Sequence, residues 1–285
     1  MKTNYEVVIV GAGSAGLAAL REVRKRTQDF LLVNDGAWGT TCARVGCMPS
    51  KVLIEAANAY HRRHTFEEFG IRGAGALSVD LPAVLRRVRR LRDGFVKGTL
   101  QATDGLGERA VGGRARLLGP GRLEVNGREI SARAIVLATG SSPVVPPAWQ
   151  VLGDKLLTTD TLFEPESLPP RIAVVGLGAI GVEMAQALAR LGIEVAAFGR
   201  GHLGGLTDAK VSAAATALLG GEFALHLGAE ADVIEKDGAL RVRAGTTEVT
   251  VDAVLAALGR RPNLAGLGLE ALGIALDARG LPPVD

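Results

Sequence analysis

The stretch Val7-Val8-Ile9-Val10-Gly11-Ala12-Gly13-Ser14-Ala15-Gly16 decides the reading of this chain. A short β-branched run meets glycines at the first, third and sixth places of a turn. A helical stretch, Leu17 to Arg26, follows and leads to a second apolar run, Phe30 to Val33. Strand, turn, helix and strand in that order make a βαβ unit. The first glycine permits the tight turn, the second lets the backbone approach a pyrophosphate, and the third lets helix and strand pack closely. The free N–H groups and positive dipole end of the helix then face the anion. The pattern returns at Ala173-Val174-Val175-Gly176-Leu177-Gly178-Ala179-Ile180-Gly181, 165 residues on, with a helix from Val182 to Leu191 and an apolar run from Ile193 to Phe198. One such motif is a weak signal, but two in the same context predict two dinucleotide-binding units.

Working outward, 285 residues with 47% hydrophobic side chains can bury a sizeable core and suggest about two domains. This composition excludes disorder, and the glycines follow no collagen period. Between the units lie helical stretches from Cys47 to about Arg63 and from Leu81 to about Thr103. Strand-like pieces follow at Arg114 to Leu118, Arg122 to Val125 and Ala134 to Leu137. Prolines 143, 146 and 147 mark one boundary, and 165, 169 and 170 mark the approach to the second unit. After Gly220 the chain reads as β, at Phe223 to Leu227, Asp232 to Glu235, Leu240 to Arg243 and Thr247 to Leu255, before a boundary at Gly259-Arg260-Arg261-Pro262-Asn263.

Lys2 and the apolar Val7 to Leu20 imitate a signal peptide, but Glu6 interrupts it and no small-residue cleavage site precedes Arg21. No apolar run is long enough to span a membrane, so the expected location is cytoplasmic. There, two cysteines separated by four residues, Cys42 and Cys47, read as catalytic or metal-binding more readily than structural. They stand on a turn entering a helix, with Arg44 and Lys51 nearby, the surroundings in which thiols become reactive thiolates. A metal would need two more ligands, and His61 and His64 lie well along the following helix, so no metal is expected. Two unreactive buried thiols are the plainer alternative.

The segment Gly39-Thr40-Thr41-Cys42-Ala43-Arg44-Val45-Gly46-Cys47-Met48-Pro49-Ser50-Lys51, both glycine motifs, Ala138-Thr139-Gly140 and Gly259-Arg260-Arg261-Pro262-Asn263 together resemble the pyridine nucleotide-disulfide oxidoreductases, dihydrolipoamide dehydrogenase and its relatives above all. The resemblance runs from Tyr5 to Asp285. It implies an α/β fold of two Rossmann-like dinucleotide-binding domains, each with a parallel sheet, helices and a small antiparallel meander. An FAD domain would span residues 1–150 and resume at 259–285, with an NAD(P) domain at 151–258. FAD would meet Gly11, Gly13, Ser14, Ala15, Gly16, Asn34, Asp35, Thr41, Lys51, Ala138, Thr139, Gly140 and Gly259. The nicotinamide dinucleotide would meet Gly176, Gly178, Ile180, Gly181 and Arg200. Hydride would pass from NAD(P)H to the flavin, which would open a Cys42–Cys47 disulfide. Cys47 would then be the flavin-side thiol, Cys42 the interchange thiol that attacks the disulfide form of a small disulfide/dithiol substrate, and Lys51 would pair with Glu183 beside the flavin. Without the resemblance, Lys51 and Glu183 read as ordinary helix-surface charges.

Departures from the family pattern carry their own expectations. Thr40 stands where a second glycine is usual, and Arg44 where asparagine is usual. Asn34 followed by Asp35 replaces the glutamate that binds the FAD ribose, and Ala179 leaves the nicotinamide pocket open. Counting 18 residues from Gly181 reaches Gly199, where an NAD-binding unit carries an acid. The missing acid and the following Arg200 favour NADPH slightly over NADH, with His202 as a further donor. Pro49-Ser50-Lys51 resembles the lipoamide and mercuric branch more than the glutathione branch. No cysteine follows Cys47, which argues against mercuric reductase and leaves lipoamide-like dithiols.

Arg86, Arg87, Arg89, Arg90 and Arg92 lie on an amphipathic helix with Val84, Leu85, Val88, Leu91 and Phe95 on its apolar side. They read as a solvated face or subunit contact. Neither a nucleic-acid nor a membrane partner is expected, since a net charge of +3 is spread without interleaved aromatics. His226 has no evident role. The resemblance also implies that the family continues past Pro282-Pro283-Val284-Asp285 into a Gly-Asp pair that holds FAD and an interface domain with a histidine-glutamate pair. A homodimer is expected of such a longer parent. If 285 residues were the whole molecule, it would hold FAD less securely, lack that dimer and turn over disulfides poorly. The alternative readings are a nucleotide-binding fragment without redox turnover and a two-dinucleotide flavoprotein whose cysteines are incidental.

Overall fold

A computed structural model describes residues 2–201, 203–236 and 238–283. Its first half contains β1 (Asn4–Val10), α1 (Ser14–Val23), β2 (Phe30–Asn34), α2 (Thr41–Arg44), α3 (Cys47–His61), α4 (Leu81–Leu100), β3 (Ala110–Gly112), β4 (Ala115–Gly119), β5 (Arg122–Val125), β6 (Arg128–Leu137) and β7 (Ser141–Pro143). Then come β8 (Leu156–Leu157), β9 (Arg171–Val175), α5 (Ala179–Arg190), β10 (Glu194–Gly199), α6 (Ala209–Gly220) and β11 (Ala224–Leu227). The remaining strands are β12 (Ala231–Lys236), β13 (Ala239–Ala244), β14 (Thr247–Val251), β15 (Ala253–Ala256) and β16 (Arg260–Pro262). The fold is α/β, with two Rossmann-like units that each combine parallel pairing, helices and an antiparallel meander.

Two compact units emerge, one of residues 1–44, 93–142 and 260–285, the other of 45–92 and 143–259. In the first, six strands run in the order β3-β2-β1-β6-β5-β4. β1 pairs in parallel with β2 and β6, while β5 pairs antiparallel with β4 and β6. The long β6 joins the two patterns, its Arg128–Ser131 facing β5 and its Ser131–Leu137 facing β1. All five residues of β2 are buried. Phe30 and Leu32 pack with Ile9 and Leu20 on one side, and Leu31 and Val33 pack with Val8, Leu123 and Ile130 on the other. A strand covered on both faces reads as a continuous apolar run, as this one does.

The second unit has a parallel sheet in the order β11-β10-β9-β15-β8 and a separate antiparallel meander, β12-β13-β14. Residues 45–92, which the sequence reading assigns to the first domain, group here because Leu53 and Ala57 of α3 and Leu85 and Val88 of α4 share one core with Ile172, Val174, Met184 and Leu188. Of the five α4 arginines, Arg86, Arg87 and Arg90 are exposed. Arg89 instead donates to the carbonyls of Phe163 (3.2 Å) and Pro165 (2.6 Å), and Arg92 pairs with Glu164. The charged face is therefore partly a staple for the 163–165 segment.

The strand expected from Thr247 to Leu255 divides at Asp252 into β14 and β15, which belong to different sheets. The Asp252 carboxylate accepts from Arg171 Nε (3.0 Å) and Nη2 (2.6 Å) and from the Arg171 backbone N–H (3.1 Å). Those bonds hold the carboxyl below its usual range and fix the corner.

Candidate functional site

The two glycine turns are built alike. Gly11 and Gly176 adopt φ of +108° and +99°, open to glycine and strained for other residues. Gly11 N–H donates to the Val33 carbonyl (2.7 Å) and Gly176 N–H to the Phe198 carbonyl (2.9 Å). A methyl on Gly11 would lie 2.1 Å from the Ala138 carbonyl oxygen, and one on Gly176 would lie 2.4 Å from that of Ala257. Gly16 and Gly181 are tighter still, each placing such a methyl 1.8 Å from the carbonyl oxygen of the first glycine.

Gly13 and Gly178 differ. They keep ordinary φ of −76° and −67°, and a methyl there meets nothing within 4 Å. Both precede helices with no side-chain cap and no acidic residue in the first turn. By contrast, Asp208 accepts from Val211 N–H at the start of α6. Open space in front of uncapped N–H groups fits an anionic diphosphate on each unit. Ser14 and Ala15 of α1, and Ala179 and Ile180 of α5, lie exposed beside these openings.

The structure also reveals a correspondence that spacing alone misses. Ala138 N–H donates to Val10 O (2.7 Å) just as Ala257 N–H donates to Val175 O (2.8 Å). Ala138-Thr139-Gly140 and Ala257-Leu258-Gly259 are thus equivalents, and each backs its own glycine turn. The signal was present as alanine two residues before glycine at the end of a strand. In the first unit, Asn263 secures this loop: its backbone N–H donates to Gly140 O (2.9 Å), its Nδ2 to Thr139 O (3.1 Å), and its Oδ1 accepts from Ser142 (2.8 Å).

Asn34 ends β2 with both polar atoms engaged. Its Oδ1 accepts from Ala12 N–H (2.9 Å) and its Nδ2 donates to Gly36 O (3.2 Å) and Ala37 O (3.4 Å). The side chain therefore ties the glycine turn to the next loop, leaving neighbouring Asp35 exposed. In the second unit, Gly199 is crowded, since a side chain there meets Leu177 at 3.1 Å. Arg200 projects into solvent with Glu230 at 3.6 Å. His202 lies outside the described residues.

Thr41 opens α2, in which Cys42 is half-buried, whereas Cys47 is exposed as the first residue of α3. One turn along α3, on the same side as Cys47, Lys51 donates to both carboxylate oxygens of Glu183 on α5 at 2.7 and 2.8 Å. A cleft of about 280 Å³ runs from this pair to Asn58 and Arg190, floored by Ile54 and Ala187. Arg190, in its lining, has a bidentate grip on Glu222 (2.7 and 2.8 Å) and a 2.6 Å bond to Asn58. Gln186 adds a 2.8 Å bond to Glu222.

Arg190 hydrogen bonding chiefly holds the Glu222 carboxyl below its ordinary 4.5. A depressed carboxyl stabilises the fold above its unfolded value and loses that contribution as pH falls through its folded value. Thermal unfolding of the wild-type chain should therefore weaken with acid below about pH 4.5. Glu222→Gln should flatten that slope and lower the midpoint at neutral pH by roughly 1–2 kcal/mol equivalent, because Arg190 loses its carboxylate partner and keeps Asn58 in a partly solvated pair. A Glu222→Gln profile parallel to wild type would contradict the assignment.

A glycine turn of the dinucleotide-binding kind in each unit, open in front of an uncapped helix, defines a two-nucleotide class of protein. The family model for pyridine nucleotide-disulphide oxidoreductases matches residues 5–285, and the chain belongs to that family. Its members are FAD-dependent and use NAD(P)H. Glutathione reductase from Burkholderia cepacia is 33% identical over 292 residues, covering 100% of this chain and 64% of that protein. Dihydrolipoyl dehydrogenase from Thermus scotoductus is 33% identical over 313 residues, covering 100% and 63%. The Cu(II) complex of the HOCl-induced flavoprotein disulfide reductase RclA from Escherichia coli shares the fold, with a TM-score of 0.84 at 24% identity, covering 100% of this chain and 63% of that one. The chain thus spans somewhat under two thirds of the length of these relatives.

Proposed function

We propose that the chain works as an FAD-dependent disulfide oxidoreductase, passing electrons between NAD(P)H and a Cys42–Cys47 disulfide and between that pair and a small disulfide/dithiol couple, the disulfide being reduced when NAD(P)H is the donor. One observation carries this reading: an exposed cysteine heads α3 one turn before a lysine held at both carboxylate oxygens by Glu183. When bound, FAD supplies two-electron chemistry between the nicotinamide and the disulfide. The protein's part is to hold and orient. Gly13, Ser14 and Ala15 offer backbone N–H groups to one diphosphate, and Gly178, Ala179 and Ile180 to the other. Asp35, exposed, is the better partner for the ribose, with Asn34 organising its loop.

Lys51, steadied by Glu183, would offer a cation to a bound flavin, where it would favour the reduced, negatively charged form. Opening the disulfide consumes two electrons and two protons and yields two thiols. Cys47 serves as the flavin-side thiol and Cys42 as the thiol that exchanges with substrate. We assign FAD to residues 1–150 with 259–285 and NAD(P) to 151–258, and we place the reaction in the cytoplasm with a homodimeric full-length form. A lipoamide-like disulfide, reduced to its dithiol, is the favoured substrate, on Pro49-Ser50-Lys51. The two relatives at 33% identity act on different substrates by name, so their likeness does not choose. Parallel assays of lipoamide and glutathione disulfide reduction with the flavin-loaded protein test the reading, and activity with neither would reject it.

NADPH is the favoured donor because Gly199 has no acid to repel a 2′-phosphate and Arg200 is exposed beside it. Arg200→Ala should lower kcat/KM for NADPH by roughly 5–20-fold, the worth of a charge-assisted bond, and leave NADH unchanged. Glu230→Gln, which releases Arg200 from its neighbour, should favour NADPH further. Equal losses with both donors would remove Arg200 from the site.

A further inference from the structure

Among the described residues, two that are not glycine have positive φ, Thr40 at +38° and Asn126 at +53°. Asn126 precedes Gly127 in the hairpin between β5 and β6, where asparagine is ordinary. Thr40 is different, since a β-branched residue is a genuine outlier in that region. Glycine would make the turn without strain, so the threonine side chain is retained at a cost. Its surroundings show what it does. Thr40 is 7% exposed. Its Oγ1 accepts from Ala43 N–H at 3.0 Å, in buried surroundings, and its carbonyl accepts from Arg44 N–H at 3.0 Å. These two bonds bracket Cys42. On the other side, Gly39, at φ +100°, would drive any side chain to 2.8 Å from Val96 Cγ1, so the entry to the turn is pinned as well. Four residues of helix cannot hold themselves, and the α2 turn depends on this cap.

We propose that Thr40 is a positioning residue for Cys42: its hydroxyl caps α2 and fixes the backbone from which the exchange thiol is presented. The proposal rests on the reading of Cys42 as the exchange thiol. Strain kept at one residue because its side chain organises a reactive group is the pattern seen at functional turns. A merely structural threonine would affect stability and leave thiol chemistry alone.

The test uses the full chain in three variants. Thr40→Val keeps the branched shape without the acceptor, Thr40→Ser keeps the acceptor, and Thr40→Gly removes both acceptor and strain. Reduced protein is alkylated with iodoacetamide, and mass spectrometry follows Cys42 with Cys47 as internal reference. The disulfide–dithiol equilibrium is measured against dithiothreitol. Thr40→Val should raise the Cys42 rate relative to Cys47 about fivefold and shift the equilibrium about fivefold toward the dithiol, the factor a lost cap predicts. Thr40→Ser should stay within about twofold of wild type. Thr40→Gly should share the Cys42 phenotype while its thermal midpoint holds or rises, which separates positioning from stability and covers a valine variant that fails to fold. Wild-type labelling in folded Thr40→Val and Thr40→Gly would overturn the proposal. Failure of wild type to form any Cys42–Cys47 disulfide would instead reject the exchange-thiol reading, with the alkylation rates still deciding the role of Thr40.

Discussion

Gly16→Ala and Gly181→Ala should each abolish folding of their own unit, while Gly13→Ala and Gly178→Ala should leave folding intact and remove ligand binding. The difference follows from where one methyl group lands. At Gly16 and Gly181 it falls 1.8 Å from a carbonyl oxygen of the preceding turn, with Ala138 Cβ (3.5 Å) or Ala257 Cβ (3.3 Å) beyond it. The obstructing atoms are mainly backbone, so no rotamer change relieves the clash. The turn and the helix have to move apart, at roughly 3–5 kcal/mol, the upper range for overpacking. At Gly13 and Gly178 the methyl meets no protein atom, and both φ values suit any residue. Thermal midpoints there should stay within about 1 kcal/mol equivalent of wild type. The methyl would occupy the space through which a diphosphate approaches the helix N-terminus, so FAD affinity in Gly13→Ala and NADPH affinity in Gly178→Ala should fall at least about tenfold. Calorimetric unfolding with equilibrium dialysis against each nucleotide checks both halves, and a stable, ligand-binding Gly16→Ala would refute the packing argument.

Those four glycines were legible in the sequence because their constraint is local. Six consecutive residues carry the whole turn, and its spacing reflects contacts inside it. The same holds for the meander strands and for α3 and α4, whose apolar periods mark buried faces. Where contacts are distant, the signal fades. Lys51 and Glu183 stand 132 residues apart, and their pairing came from family resemblance, since no spacing rule relates them. Asp252 breaks an apolar run only because Arg171, on another strand, captures it. Helix α6 carries a faint signal, since none of its residues is fully buried and only Ala215 and Leu219 pack against a core, in a run of alanines that favours no face. Asp208 at its start was the one available clue. Thr40 appeared in the sequence as a substitution for glycine, but only the backbone angle and the bond to Ala43 give it a purpose.

Cys42→Ser and Cys47→Ser should each cut disulfide-reducing activity by on the order of a thousandfold or more, the scale on which removal of a nucleophile registers. Electron counting makes the prediction sharper than a rate. A reduced wild-type chain carrying FAD should hold two electron pairs, one in the flavin and one in the opened disulfide. Either serine variant should hold only the flavin pair, since serine forms no disulfide. Anaerobic titration with dithionite therefore separates wild type from both variants by a factor of two in equivalents, whatever the substrate. The two variants should differ from each other in their spectra. Retained Cys47, as the flavin-side thiol, should leave a long-wavelength absorbance band in Cys42→Ser, and the band should be absent from Cys47→Ser. Transfer of electrons from NADPH to a dye should survive in both, because it needs neither sulfur. Should wild type and Cys47→Ser take up the same number of electrons, the cysteines are not a redox pair, and the chain is a flavoprotein of another kind.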